Sequence, residues 1–187
     1  MIYNKLSNIY DKDSLDIINL YNESTLVQIN KIKENYKNWK IGFTCSAFDI
    51  FHAGHVLMLE DARRQCDVLI IGLHTNPTLN RSSKNLPIQT TEERYIQTKS
   101  CRYVDDIIIY SSEEDLYNIL TELNPNVRVL GTDWKDKEYT GHELTIPIHW
   151  HNRDHNWSTS SLRSRIYEEE KNKKEKEKIL FNLNHII

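Results

Sequence analysis

The sequence predicts an α/β fold, a doubly wound parallel sheet of about five strands with helices on both faces. Three features predict it. Aliphatic blocks such as "DVLIIGLHT" (67–75) run apolar without alternation, as strands buried on both faces do. Between the blocks lie segments with apolar residues three and four apart, several of them opened by Ser or Thr. Block and segment also alternate along the chain, and the crossovers between parallel strands are right-handed.

Taken in order, residues 1–38 read as polar helices, with Leu15, Ile18 and Tyr21 and then Leu26, Ile29 and Ile32 at helical spacing, an appended surface layer. "KIGFTCSAF" is the first buried strand, and "HVLMLEDARRQC" the helix that returns from it. "DVLIIGLHT" is the second strand. A polar loop with Pro77 and Pro87 then leads to "TTEERYIQTKSC", a helix capped by Thr90 or Thr91 with acidic residues in its first turn. "YVDDIIIY" is the third strand, "SEEDLYNILTEL" a helix opened by Ser112, "NVRVLGTDW" the start of a fourth strand and "ELTIPIHWH" a fifth. "STSSLRSRI" opens the last core helix. The layout is Rossmann-like, with an N-terminal helical extension (1–39), a nucleotide-binding catalytic domain (40–166) and a charged C-terminal helix (167–187).

Composition narrows the classes. Net charge is −3 over 187 residues, so no general field draws nucleic acid, and any anion site is local. Three separated cysteines without a Cys-x-x-Cys pair argue against zinc or a disulfide framework and for a reducing cytoplasm. No apolar run approaches a membrane span, so neither secretion nor a membrane partner is expected. Glu168 to Lys178 holds five acidic residues and five lysines, a solvated face rather than a cationic membrane helix. Five glycines form no Gly-x-Gly-x-x-Gly or P-loop, and no nucleophile elbow is present.

In such a sheet ligands bind beyond the carboxyl ends of the strands. There the chain places Asp49, His52, Gly54 and His55, then Arg81 and Lys84 with Arg94 beyond them, then Gly131 to Trp134, then Arg153 to Arg163. Cations, imidazoles, hydroxyls and helix N-termini collected on one rim describe a polyphosphate site.

Those residues carry a resemblance. His52-Ala53-Gly54-His55 after the first strand resembles the HxGH signature of the nucleotidyltransferase superfamily. "RYVDDI" (102–107), "GTDW" (131–134) and "RDHNWSTSSL" (153–162) follow in the order seen in cytidylyltransferases, most like those acting on glycerol 3-phosphate. The chain departs from that pattern at Ser46, where a glycine is usual, at Thr132 in GTDW, and at His155-Asn156.

The resemblance implies transfer of CMP from CTP, with Mg²⁺, to a small phosphomonoester such as glycerol 3-phosphate or another polyol or amino-alcohol phosphate, releasing pyrophosphate. It implies that His52 and His55 meet the triphosphate near the α-phosphorus, and that Gly54 lets the helix start approach it. Ala47, Phe48 and Asp49 would border the nucleotide, Asp49 holding Mg²⁺ or ordering the turn. Lys84, with Arg81 in reserve, would bridge acceptor and nucleotide phosphates, and Arg94 and Arg153 would clamp phosphates. Ser158, Thr159 and Ser160 would meet the β- and γ-phosphates, and Gly131, Asp133 and Trp134 the base and ribose. A homodimer is implied likewise. "WSTSSLR" (157–163) also resembles the ISSTxIR box of adenylyltransferases, leaving ATP and a sugar or coenzyme phosphate as the alternative, with a non-catalytic nucleotide-binding module behind it.

Overall fold

A computed structural model describes residues 23–184. Five parallel strands form one sheet in the order β3-β2-β1-β4-β5: β1 (Ile41–Ser46), β2 (Val68–His74), β3 (Asp106–Tyr110), β4 (Val127–Gly131) and β5 (Ile148–His151). The order reverses between β1 and β4, and the crevice at that reversal is where such sheets take ligands.

The unbroken apolar run of β2 has a direct reason. Leu69, Ile71 and Leu73 pack on one face with Phe48, Leu59 and Tyr95, under α2 (Ala53–Arg63) and α3 (Thr91–Lys99). Val68 and Ile70 pack on the other with Phe43, Ile108 and Ile119, under α1 (Thr25–Asn35) and α4 (Glu113–Leu123). Each such side chain stabilises the fold by about 1.5–3 kcal/mol on burial, which explains why both faces of one strand are aliphatic. Caps follow the sequence reading: Thr90 and Ser112 each accept a backbone N–H three residues on, and Glu93 and Asp115 reach back to complete capping boxes.

Three elements differ from expectation. Of the N-terminal layer, Leu15, Ile18 and Tyr21 lie outside the described residues, but α1 is core rather than surface. Ile29 and Ile32 are buried, and Gln28 Oε1 accepts the Ile109 N–H of edge strand β3 at 3.2 Å. β3 starts at Asp106 rather than Tyr103, because Val104 N–H closes a turn on Cys101 O. β5 begins only at Ile148; Pro147 has no N–H to give and instead takes one from Arg128 on its carbonyl.

The last helix, α5 (Thr159–Asn184), is one element of 26 residues, so its first turns and the charged tail are continuous. From Ser164 to Asn182 its residues are exposed. Among the described residues no helix is long and apolar enough to cross a membrane.

Candidate active site

A cleft of about 370 Å³ lies over the carboxyl ends of β1 and β4, within the size of ordinary small-molecule sites. It brings together every residue to which the resemblance gives a role except Arg94. The chain's departure from glycine at Ser46 does not relax this turn. Phe48 and Ile50 both adopt left-handed backbone, at φ 49° and 48°, a costly conformation for a β-branched residue. Surrounding bonds hold it there. Ile50 N–H donates to Gln89 Oε1 at 2.7 Å, Phe48 is fully buried, and Thr159 Oγ1 donates to Asp49 O at 3.2 Å.

His52 is the N-cap of α2, and its Nδ1 accepts Gly54 N–H at 3.1 Å. His55 Nδ1 in turn accepts His52 N–H at 3.4 Å, so two imidazoles form the capping box that Ser and Glu usually form. The rings stack 3.9 Å apart, and His55 packs against Phe48 and Phe51.

This geometry fixes the protons. A ring that accepts at Nδ1 carries its proton on Nε2 when neutral. His52 Nε2–H donates to Thr159 Oγ1 at 3.3 Å, and that hydroxyl in turn donates to Asp49 O. Burial, then the neighbouring His52 and Arg153, lowers the His55 pKa to about 3. Burial, then His155 and Arg153, also lowers that of His52. At neutral pH the pair is a set of two uncharged Nε2–H donors.

Gly54 is explained by packing. A Cβ there would meet Trp157 O at 2.7 Å and His155 Cε1 at 2.9 Å, so the close approach is to the loop after β5. Arg153 on that loop is half exposed and faces Asp133 Oδ1 at 3.7 Å. Ser158 Oγ accepts Ser161 N–H at 3.1 Å, capping α5 so that its positive end opens into the cleft. Trp134 forms the far wall, with Arg81 4.7 Å and Lys84 5.8 Å from its ring centroid. Arg81 is paired with Glu113 at 2.9 Å, whereas Lys84 has no ion pair among the described residues. Of the two cations beside Trp134, Lys84 is thus the one available to a ligand.

Arg94 does other work than the sequence suggests, and Asp49 takes the second of its two expected roles. Arg94 is 1% exposed and lies outside the cleft. Its guanidinium donates to the carbonyls of Ala47 (2.8 Å), His74 (2.7 Å) and Thr75 (2.7 Å), stapling the loops after β1 and β2 to α3. It therefore supports the cleft instead of clamping phosphate. Asp49 Oδ1 accepts Ile88 and Gln89 N–H at 2.9 and 3.0 Å, and Oδ2 faces Arg163 Nη1 at 3.3 Å. With both oxygens engaged, and no cluster of three His, Cys, Asp or Glu able to hold an ion among the described residues, these side chains do not fit a resident Mg²⁺. Asp49 orders the turn.

One network escaped the sequence reading. Asp61 Oδ2 accepts from His151 Nδ1 at 2.8 Å and His149 Nε2 at 3.0 Å. Burial pulls this carboxyl up, but the two hydrogen bonds outweigh it and hold its pKa low. Asp61 and His151 stand 90 positions apart, and no local spacing signals their meeting.

A family model described as cytidylyltransferase-like matches residues 43–170. The Bifunctional protein HldE of Campylobacter jejuni is 32% identical over 136 residues, which is 72% of this chain and 29% of that protein. Its counterpart in Aliarcobacter butzleri is 33% identical over 150 residues, covering 79% of this chain and 31% of that protein. The chain thus spans about a third of the length of these relatives. Among solved structures, the lipopolysaccharide core biosynthesis protein from Thermoplasma volcanium shares the fold, with TM-score 0.51 and 22% identity over 65% of this chain and all of that one.

Proposed function

Since the chain belongs to the cytidylyltransferase-like family of nucleotidyltransferases, we propose that it joins a nucleoside monophosphate to a phosphomonoester. An acceptor phosphate oxygen attacks the α-phosphorus of a nucleoside triphosphate in line. The bond from that phosphorus to the bridging oxygen breaks, and pyrophosphate leaves with the electron pair. Such displacement needs positioning and charge stabilisation more than covalent catalysis.

The observation that carries the reading is the neutral, Nε2-protonated pair His52 and His55 at the start of α2. His55 Nε2–H, without a protein partner among the described residues, donates to the α-phosphoryl or bridging oxygen as charge gathers there. His52 orients the helix start and, through Thr159, the start of α5. Arg153 and the α5 N-terminus meet the β- and γ-phosphates, and Lys84 meets the acceptor phosphate. Mg²⁺ enters with the triphosphate as part of the substrate.

ATP is the nucleotide we assign. The segment Trp157–Arg163 resembles the adenylyltransferase box, and this fold ties it to the nucleotide loop twice, through Thr159 to Asp49 O and through Arg163 to Asp49 Oδ2. CTP is the second reading, favoured by Gly131–Trp134 beside Arg153. The test is pyrophosphate release from Mg²⁺ with ATP or CTP and a phosphomonoester panel. Release with ATP and one acceptor supports the assignment, and release with CTP alone moves it to the second reading. Silence with both, while nucleotide still binds, makes the chain a binding module.

A further inference from the structure

Helix α2 carries His52 and His55 at its start, and two turns further on it meets β5. Asp61 lies seven residues past Gly54, and at 3.6 residues per turn the two share a face. Opposite Asp61 sit two residues of β5: His151 Nδ1–H and His149 Nε2–H donate to Asp61 Oδ2 at 2.8 and 3.0 Å. Opposite Gly54 sits the far end of the segment that follows, where an added Cβ would meet Trp157 O at 2.7 Å and His155 Cε1 at 2.9 Å. The loop 152–158, which carries Arg153, is thus slung between two points on one helix face.

The anchor at Asp61 is the specific one. His149 and His151 alternate along the strand, so both project to the same side of the sheet, and His151 is 5% exposed. A carboxylate accepts such bonds about twice as strongly as a neutral group does, and its two donors fix opposite tautomers in the two neutral rings. The strand needs that tie. β5 has only four residues and lies at the sheet edge, laddered on the β4 side alone. Arg153 has no comparable hold of its own among the described residues. Its guanidinium is half exposed and 3.7 Å from Asp133 Oδ1, beyond hydrogen-bond length. The backbone two residues after His151 therefore decides where that charge lies.

Resting on the reading that Arg153 meets the β- and γ-phosphates, we propose that Asp61 is a positioning residue of the triphosphate site, acting through His151 and His149 to set the place of the Arg153 loop. Asp61 does not line the cleft and touches no substrate. It makes α2 a common frame. The His52 and His55 donors at one end and the Arg153 guanidinium beyond the other anchor are held at a fixed separation, as in-line transfer on a triphosphate requires.

The test is calorimetric affinity for the nucleoside triphosphate, whichever of ATP and CTP binds, against that for its monophosphate, which lacks the phosphates Arg153 meets. Asp61→Ala should lower triphosphate affinity about five-fold or more and leave monophosphate affinity within about two-fold. His151→Phe takes its place if the alanine variant fails to fold by circular dichroism. A residue that only stabilised the fold would weaken both nucleotides alike. Arg153→Ala closes a double-mutant cycle: because Asp61 acts through Arg153, adding Asp61→Ala to it should cost no more than about a further two-fold. Unchanged triphosphate affinity in the folded variant, equal losses for the two nucleotides, or effects that multiply in the double variant each overturn the assignment. So does unfolding of both variants, which would make the tie structural, or a wild-type chain that binds neither triphosphate at millimolar concentration. Pyrophosphate release by the wild type is scored separately. Coupling of Asp61 to Arg153 without release sinks the transfer reading and keeps the positioning role, and release without coupling does the reverse.

Discussion

Each imidazole at the start of α2 accepts a backbone N–H on Nδ1, and everything the pair can do follows from that. A donor that stays neutral costs less to bury than a cation and still hydrogen-bonds an oxyanion. His55→Ala removes that donor and should lower turnover at least a hundred-fold with nucleotide affinity within a few-fold, read from steady-state rates and calorimetry. The acid side gives a second test. The folded pKa of His55, about 3, lies below the ordinary value of 6.5. The unfolded chain therefore binds the proton more readily, and the contribution of His55 is full above pH 6.5 and lost as pH falls toward 3. The slope is at most about 1.4 kcal/mol per pH unit. His52 and His74 shift in the same direction, so the measurement is the difference between wild type and His55→Gln in urea midpoint from pH 7 to 4, and the glutamine variant should lose less. Equal losses would contradict the burial of a neutral ring.

Among the elements, the loops after β1, β2 and β5 carry the site, and the two arginines expected to clamp phosphate differ in what holds them. Arg94 spends its donors on three loop carbonyls, so Arg94→Leu leaves buried acceptors unmet and should cost about 3 kcal/mol or more in urea unfolding. Arg153, half exposed beside Asp133, should move stability by no more than about 0.5 kcal/mol as Arg153→Ala while removing most turnover. Gly54→Ala is the third probe: the added carbon meets the Trp157 carbonyl, so it should displace the Arg153 loop and weaken nucleotide binding along with about 1–3 kcal/mol of stability. These contrasts show what the sequence could carry. Strand blocks, hydroxyl caps and the His52–His55 turn declare themselves within a few residues. Whether an arginine in a first helical turn faces a cleft or a loop does not, because both positions read alike along the chain. Nor can spacing pair Asp61 with His151, or tell that the Asp49 carboxylate is already claimed by two N–H groups 39 and 40 residues away.

The whole molecule divides into a sheet packed from both sides and a helix that leaves it. Every long-range bond of α5 that fixes the site comes from its first two turns, through Thr159 and Arg163. From Ser164 to Asn182 the side chains are exposed, including Ile166 at 49% and Phe181 at 61%. Stability should follow that division, since residues exposed in the folded state gain little from folding. Removing residues 168–187 should therefore change urea unfolding of the sheet by no more than about 1 kcal/mol and leave pyrophosphate release intact, while far-ultraviolet dichroism falls with the lost turns. A cut before Thr159 instead removes the hydroxyl that receives His52 Nε2–H and the arginine that meets Asp49, and should abolish nucleotide binding. If the distal cut alone destabilised the sheet or silenced the enzyme, the exposed end of α5 would have to pack on something in solution, and sedimentation of the intact chain would then read larger than a 22.2 kDa monomer.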